Sequence, residues 1–354
     1  MVGVNLTKRR DIAAFVSFIF ASDFMHFVQT RLTTIDVFIT FFVILMYYFM
    51  HKYCTLSFYD TALKKTFLPL GACGIAFGFG IASKWTGFYA GAGLAVIFFL
   101  TLWKRYREFC YAKKNPKGNT EGISHKEIVK NFKPYALKTI GFCVIFFVVI
   151  PFMIYLLSYI PFKDYSEGGL LTRMLDNQAS MFDYHSKLEA THPYSSVWYE
   201  WPTMERPIFY YSKEMGEDLR RGISAFGNPL VWWSGIFAFF FMLYLATKKR
   251  DKNARFLCIG YLAQYLPWIL ITRCTFIYHY FPSVPFIALM IGYCFLQLQK
   301  KVSKKVFLTL LILFAVICFG LFLLFYPVLS GEVVSREFVI NYLKWFENTW
   351  TLVV

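Results

Sequence analysis

The chain has 354 residues, of which 57% are hydrophobic, 21% aromatic and 16% charged, with a formal net charge of +16. Soluble domains average about 45–50% apolar and about 25% charged residues, so this composition and a mean hydropathy of +0.47 argue against a soluble domain and for a membrane protein. The positive charge does not imply nucleic acid, because Lys and Arg stand in short clusters between apolar runs, as in the loops of a polytopic protein.

Runs of roughly 20 apolar residues, the length that spans a bilayer, recur along the chain. Hydropathy predicts nine spans, at about 12–24, 34–50, 66–82, 86–102, 135–157, 229–247, 254–271, 277–297 and 305–327. Asp23 and His26 interrupt the end of the first, and the turn around "ASKWTG" (82–87) is tight for a link between two helices. "KRRDIAAFVSFIF" runs on into "ASDFMHF" without a small-residue cleavage site, so no signal peptide is read here. The glycine-rich "GFGIASKWTGFYAGAG" lies within spans and reads as close helix packing, not as a nucleotide cradle. The eight Cys show no CxxC or metal spacing and read as small buried hydrophobes.

Basic clusters fix the orientation. "KRR" (8–10), Lys52 with Lys64 and Lys65, the stretch 103–134 with nine Lys or Arg, "KKRDKNAR" (248–255) and "KKVSKK" (300–305) share one side if every span crosses. By the positive-inside rule that side is cytoplasmic. The opposite side receives residues 25–33, the 83–85 turn, the loop 158–228, the link 272–276 and the tail 328–354. The expected organisation is five spans in 1–157, an extracytoplasmic loop 158–228, four spans in 229–327 and an extracytoplasmic tail 328–354.

The loop 158–228 holds ten of the 21 acidic residues, together with His185, His192, Trp198 and Trp201. In 168–188, Leu171, Met174, Leu175, Gln178, Met181 and Phe182 fall near helical spacing, which predicts an amphipathic helix on the membrane surface. Residues 192–212 are rich in Pro, Trp and Tyr and read as ordered interfacial loop. There Trp198, Trp201 and Glu200 suit a sugar or peptide platform, and equally suit anchors in the headgroup layer.

Polar residues gather on the extracytoplasmic side: Arg31, Lys84, Arg273 and His279, with Asp36 about one turn inside the second span. A charge in hydrocarbon costs several kcal/mol unless paired or solvated, so such residues are functional clues. Basic groups converging from separate spans suit a phosphate, with Arg supplying a planar fork and Lys a point charge. Each also has a plainer reading: Arg31 and Lys84 as snorkelling residues, Asp36 as a partner of Arg31, and His279 as part of an aromatic belt. Arg273 is harder to explain that way, because its link is short and otherwise apolar.

Four separated stretches, "DFMHFVQTRLTTIDVFITFF" (23–42), "SKWTGFY" (83–89), "WYEWPTMERPIFYY" (198–211) and "RCTFIYHYFPSVPF" (273–286), resemble the protein O-mannosyltransferase family, in its prokaryotic, phospholipid carrier-dependent branch. The likeness runs in family order to "FYPVLSG" (325–331) and "LKWFENTW" (343–350). It implies an all-α polytopic protein, a GT-C type transmembrane helix bundle with an extracytoplasmic loop carrying an amphipathic helix. It also implies inverting transfer of mannose from a polyprenyl or dolichyl phosphate to Ser or Thr of secreted or membrane proteins. Arg31 and Asp36 match the family's "TR...D" element, Lys84 its "KW.G" element, and Arg273 and His279, with Tyr278 between them, its "R..F.YHY.P" element. The resemblance thus assigns Arg31, Lys84, Arg273 and His279 to the lipid-linked phosphate, supported by Asp36 and Tyr278, and Trp198, Glu200 and Trp201 to a substrate loop.

Family members begin with a further span and a loop carrying an Asp-Glu pair and an "HPPLGK"-like stretch, whose Asp is taken as the general base. This chain starts at "MVGVNLTKRRD". The expectation is therefore a truncated enzyme, possessing no catalytic residue of its own and inactive alone. A lipid-phosphate-binding subunit without activity is the alternative, and a lipid-linked sugar transporter the more distant one. Expected partners are membrane lipids, the lipid-phosphate sugar and protein acceptors, with homo- or hetero-oligomers left open. No metal site is read, although the resemblance leaves room for an assisting divalent metal. The expected location is a multi-pass protein of a bacterial plasma membrane rather than the endoplasmic reticulum.

Overall fold

The computed structural model describes residues 2–32, 34–57, 59–120, 122–162 and 168–352. Residue 33, residues 163–167 of the expected loop and residues 353–354 of the expected tail lie outside the described residues.

In chain order, α1 (Val2–Thr7), α2 (Arg10–Ala21) and α3 (Phe24–Arg31) precede α4 (Ile35–Thr55), α5 (Leu63–Ser83) and α6 (Gly87–Lys114). A short hairpin of β1 (Asn119–Thr120) and β2 (Ile123–Ser124) leads into α7 (His125–Val144), which a π-turn at Ile145–Val149 joins to α8 (Ile150–Leu157). Then come α9 (Leu170–Lys187), β3 (Ile208–Glu214) and β4 (Leu219–Ala225). The chain continues through α10 (Pro229–Thr247), α11 (Lys252–Tyr265), α12 (Val284–Leu298), α13 (Lys304–Ser330) and β5 (Val333–Ser335).

Among the described residues seven helical stretches are long and apolar enough to cross a membrane; α2 with α3, bent by 62°, makes an eighth if the pair is one span. The predicted span 254–271 differs. It is the 14-residue α11 followed by a five-residue 3-10 turn, Leu266–Leu270. Pro267 lacks an N–H and crowds the preceding turn, which ends the α-ladder there. By length and composition, the described residues thus offer seven spans, or eight with the bent pair, beside the nine predicted. The predicted amphipathic helix 168–188 is α9, with Leu171, Leu175 and Phe182 exposed along it.

Two compact units form: residues 1–40 with 183–354, and residues 41–182. In the first, α12 packs on α2, α10 and α11. Backbones approach closely where Gly235 of α10 faces α12, since a Cβ there would lie 2.3 Å from Ile287 Cγ2. The bend between α2 and α3 is held by Asp23, which is fully buried. Its Oδ1 accepts from the His26 N–H at 3.2 Å, and its Oδ2 from the Asn228 N–H at 3.1 Å and the Trp232 indole at 2.9 Å. Three donors replace the hydration that a carboxylate loses on burial.

This unit also carries a three-stranded antiparallel sheet, order β3-β4-β5, which hydropathy did not predict. The β3–β4 hairpin turns through Gly216, whose φ of 121° lies in the region open to glycine. β5 pairs Val333 with Arg221, and the Arg221 Nε–H donates to the Gly331 carbonyl at 2.6 Å. The expected tail is therefore folded against the expected loop, and Trp350, fully buried, sits 4.9 Å from the Phe226 ring.

In the second unit α5 packs on α8 and on the π-turn. The glycine-rich stretch serves that packing. A Cβ on Gly78 would meet Pro151 Cα at 3.0 Å, and one on Gly87 would meet the Gly80 carbonyl carbon at 2.9 Å. Arg105 is buried near one end of α6 and donates to Glu108 at 3.1 Å and to the Leu56 carbonyl at 2.5 Å.

Candidate functional site

The "YHYFPS" segment folds as a 3-10 helix, Ile277–Ser283, ahead of α12. His279 shapes its start. Its Nδ1 lies 2.9 Å from the Phe276 carbonyl and 3.2 Å from the Phe276 N–H. The imidazole is enclosed by aromatic rings, with Trp268 at 4.3 Å, Tyr278 at 4.4 Å and Trp201 at 6.1 Å. One residue earlier, the Thr275 hydroxyl donates to the Ser196 carbonyl at 2.7 Å and the Ser196 N–H returns a bond to the Thr275 carbonyl at 2.8 Å. The Trp201 indole adds a 3.1 Å bond to Ser196 Oγ. The link 272–276 is thus stitched to the tryptophan-rich loop, and Arg273 emerges from it half-buried, its Nη1 donating to the Cys274 carbonyl at 3.3 Å.

Asp36, in the first turn of α4, is buried. Its carboxylate acts electrostatically on the phenols of Tyr210 and Tyr278, and the Arg273 guanidinium acts on Tyr278 from the opposite sign. Asp36, Tyr278 and Arg273 therefore share one locality, although they come from distant segments. Arg31 is exposed at the end of α3 with its guanidinium 4.9 Å from the Phe27 ring centre, and it forms no ion pair with Asp36.

Two residues of this locality carried no signal in charge or hydropathy. Gln29 is fully buried in α3, and its amide donates to the Tyr210 hydroxyl at 2.8 Å while accepting from the Thr34 hydroxyl. Tyr210 sits at a bulge in β3, where the register with β4 shifts between Phe209 and Tyr211. A bulge re-aims the side chain of the extra residue, and here it brings the phenol to Gln29. Burial pushes the Tyr210 phenol well above its usual pKa, with Asp36 reinforcing the shift and the Gln29 bond opposing it.

The substrate-loop residues divide. Trp201 is wholly enclosed, so it offers no open face. Glu200 Oε2 accepts from the Val197 N–H at 2.9 Å, capping the turn Trp198–Glu200. Trp198 is half-buried against Tyr265, whose hydroxyl donates to its carbonyl at 2.9 Å. These three build the loop; the exposed aromatics beside them are Tyr199 and Tyr211.

Lys84 belongs to the second unit and ends α5 with an extended backbone, φ −159°. The neighbouring Trp85 indole donates to the Tyr155 hydroxyl at 3.1 Å. Gln178 of α9 donates to the Tyr155 and Tyr159 hydroxyls at 2.6 and 2.7 Å, and Asn177 to Tyr159 at 2.7 Å. The "KW" element thus stands beside a polar cluster that fastens α9 to α8. Tyr155 and Tyr159, four residues apart at the end of an apolar run, were its sequence signal. Among the described residues no group of three or more His, Cys, Asp or Glu is placed to hold a metal.

Apolar helices of span length, with a carboxylate, an arginine and tyrosines gathered near helix ends, define a polytopic membrane protein. Its fold is that of the Saccharomyces cerevisiae protein O-mannosyltransferase Pmt1-Pmt2 complex bound to the sugar donor, with a TM-score of 0.76 at 12% identity over 98% of this chain and 78% of that one. Residues 1–166 match the family model of dolichyl-phosphate-mannose-protein mannosyltransferase, and residues 170–350 match that of the C-terminal four TMM region of protein-O-mannosyltransferase. The chain belongs to the protein O-mannosyltransferase family. It is similar to the polyprenol-phosphate-mannose–protein mannosyltransferase of Mycolicibacterium smegmatis, 21% identical over 94% of this chain and 71% of that protein. Protein O-mannosyltransferase 1 of Drosophila pseudoobscura pseudoobscura is 24% identical over 51% of this chain, and dolichyl-phosphate-mannose–protein mannosyltransferase 4 of S. cerevisiae is 27% identical over 35%. Those alignments span only 23% and 18% of the fly and yeast proteins.

Proposed function

We propose that the chain is a membrane glycosyltransferase that takes mannose from a polyprenyl- or dolichyl-phosphate carrier and transfers it to Ser or Thr hydroxyls of proteins. Family membership supports the class. The observation that carries the reading is the locality where Asp36 and Arg273 both act on Tyr278. A guanidinium fork beside a membrane-spanning helix suits a lipid-linked phosphate. In the reaction the bond between the anomeric carbon and the phosphate oxygen breaks and the acceptor oxygen attacks from the opposite face. The hydroxyl proton goes to a base, and the phosphate leaves as an anion. Positioned cations that meet a developing anion give one of the largest catalytic terms.

In this reading Arg273 and Arg31 bind the phosphate, while Asp36 and Tyr278 support the locality around Arg273. Lys84 is given the same role on the likeness of its "SKWTGFY" element alone. His279, enclosed by Trp201 and Trp268, orders the Arg273 link and is a positioning residue rather than a ligand. No catalytic base is assigned. The bacterial plasma membrane is the proposed location, supported by the alignment with the mycobacterial protein over most of both chains.

The test is reconstitution of the purified chain with polyprenyl-phosphate mannose and a Ser/Thr peptide, read by mass spectrometry. A mannosylated peptide with inverted configuration is the outcome that supports this reading over the inactive chain expected from the sequence. Binding of the donor without transfer would instead favour a lipid-phosphate-binding subunit, and absence of both would overturn the reading.

A further inference from the structure

The second unit holds a cavity that neither the glycine-rich turn nor the polar cluster lines. It is a groove of about 740 Å³ between α6 and α7, lined by Val96, Phe99, Trp103 and Tyr106 on one side and Phe132 and Ala136 on the other, with other apolar side chains beside them. Phe99 and Trp103 are 61% and 58% exposed, so the groove is open along its length. Its register is fixed where the Phe132 ring stacks on Phe109 at 4.8 Å and approaches Tyr106 at 6.0 Å. That pairing brings Arg107 and Lys133, the sequence neighbours of Tyr106 and Phe132, to one level at the end of the groove.

Charge at this end is not neutralised internally. Glu108 is engaged by Lys104 at 3.3 Å and Arg105 at 3.1 Å, whereas Arg107 and Lys133 are exposed and form no ion pair among the described residues. The segment 103–134 carries nine basic residues and only Glu108, Glu121 and Glu127 as acids, and the positive-inside expectation sets it at the cytoplasmic leaflet, whose lipids are partly anionic. Trp103 and Tyr106 are the aromatic types that mark the headgroup boundary.

We infer that this groove binds one anionic glycerophospholipid of the cytoplasmic leaflet, with an acyl chain along Val96, Phe99 and Ala136 and the phosphodiester against Arg107 and Lys133. The apolar lining accepts the acyl chain, and the two unpaired cations select the headgroup. Such a site differs in ligand from the proposed donor phosphate, because it needs no sugar, and its lining lies along α6 and α7 beyond the "SKWTGFY" turn.

The full chain is reconstituted into phosphatidylcholine vesicles containing a minor fraction of lipid with brominated acyl chains, either phosphatidylglycerol or phosphatidylcholine. Bromine quenches tryptophan on contact. The protein has nine Trp, so the Trp103 contribution is taken as the difference between the wild type and Trp103→Phe. A basic side chain near an anionic surface contributes about 1 kcal/mol, or roughly fivefold, so brominated phosphatidylglycerol should quench Trp103 with at least about fivefold higher apparent affinity. The double variant Arg107→Gln, Lys133→Gln should lose that preference yet keep the phosphatidylcholine quenching, which also reports an intact fold. Ala136→Phe, which fills the groove, should weaken phosphatidylglycerol quenching while both cations remain. Equal quenching of Trp103 by the two lipids in the wild type, or an undiminished preference in the double variant, overturns the inference. So does reversal of the preference by inorganic phosphate, which would make the site one for the free anion.

Discussion

The indole of Trp350 donates a 2.7 Å hydrogen bond to the carbonyl of Met204, joining residues 146 positions apart. Both side chains are fully buried. Met204 also has φ 60°, a left-handed conformation that a non-glycine residue adopts only when its surroundings hold it there. The end of the chain thus fixes the backbone of "WPTMERP", on the loop that is stitched to the Arg273 link.

Trp350→Phe keeps most of the packing but strands the Met204 carbonyl. An unsatisfied buried acceptor costs about 1–3 kcal/mol, so thermal unfolding of the full chain in detergent should shift downward by that order. Trp350→Ala, which also leaves a cavity, should cost more, about 3–5 kcal/mol. An unchanged unfolding temperature in both variants would show that the tail does not brace the loop.

Asp23 offers a second stability test. Asp23→Asn can keep one oxygen for the Trp232 indole and the Asn228 N–H but then turns its NH2 toward the His26 N–H, whereas Asp23→Ala leaves the donors at 2.9 and 3.1 Å unsatisfied. The expected order is wild type, then Asn, then Ala, with the Ala variant weakened by roughly 3 kcal/mol or more from two buried donors. The measurement is urea unfolding in mixed micelles. A loss of donor binding without loss of stability would instead place Asp23 in the site.

Much of this was legible before the fold was known, for a physical reason. An apolar run of span length has few other stable fates, so α4, α5, α6, α10, α12 and α13 were visible as hydropathy. Hydropathy does not register backbone chemistry, and it missed the interruption at Pro267. The sheet was hidden because β3 and β4 lie among prolines and aromatics that read as loop, and their third strand, β5, comes from more than a hundred residues away. Arg273 and Asp36 stood out because charge is costly in hydrocarbon. Gln29 and Tyr210 did not, since their meeting depends on a bulge that sequence periodicity cannot show. His279, Trp201 and Glu200 were visible as unusual residues, but only their partners reveal that they order the backbone.

The Tyr210 phenol gives a pH test. Its folded-state pKa is raised by burial above the unfolded value. Folding therefore favours the neutral form, and the contribution is fully present below the unfolded value of about 10 and is lost as pH rises toward the folded one. Tyr210→Phe should lessen the alkaline loss of stability while lowering stability at neutral pH by about 1 kcal/mol through the lost Gln29 bond. Unfolding midpoints at neutral and alkaline pH check both; parallel curves for the two proteins would show that Tyr210 titrates as if exposed.

Arg273 decides between anchor and ligand. Arg273→Lys keeps the charge but loses the bidentate fork, and Arg273→Ala loses both. If the guanidinium binds the carrier phosphate, affinity for polyprenyl phosphate should fall in the order Arg, Lys, Ala, with the alanine variant weaker by about 1.5–3 kcal/mol, the range for a hydrogen bond to a charged group. Stability should change little, because the only bond the guanidinium donates among the described residues is the 3.3 Å contact to the adjacent Cys274 carbonyl. Asp36→Asn separates the supporting role from the direct one. It should weaken phosphate binding in the wild type, because the Asp36 charge acts on the same locality as Arg273, but add almost nothing to the loss in Arg273→Ala. Titration of each purified protein with polyprenyl phosphate supplies the cycle, and equal affinity across the Arg, Lys and Ala proteins would make Arg273 an interfacial anchor.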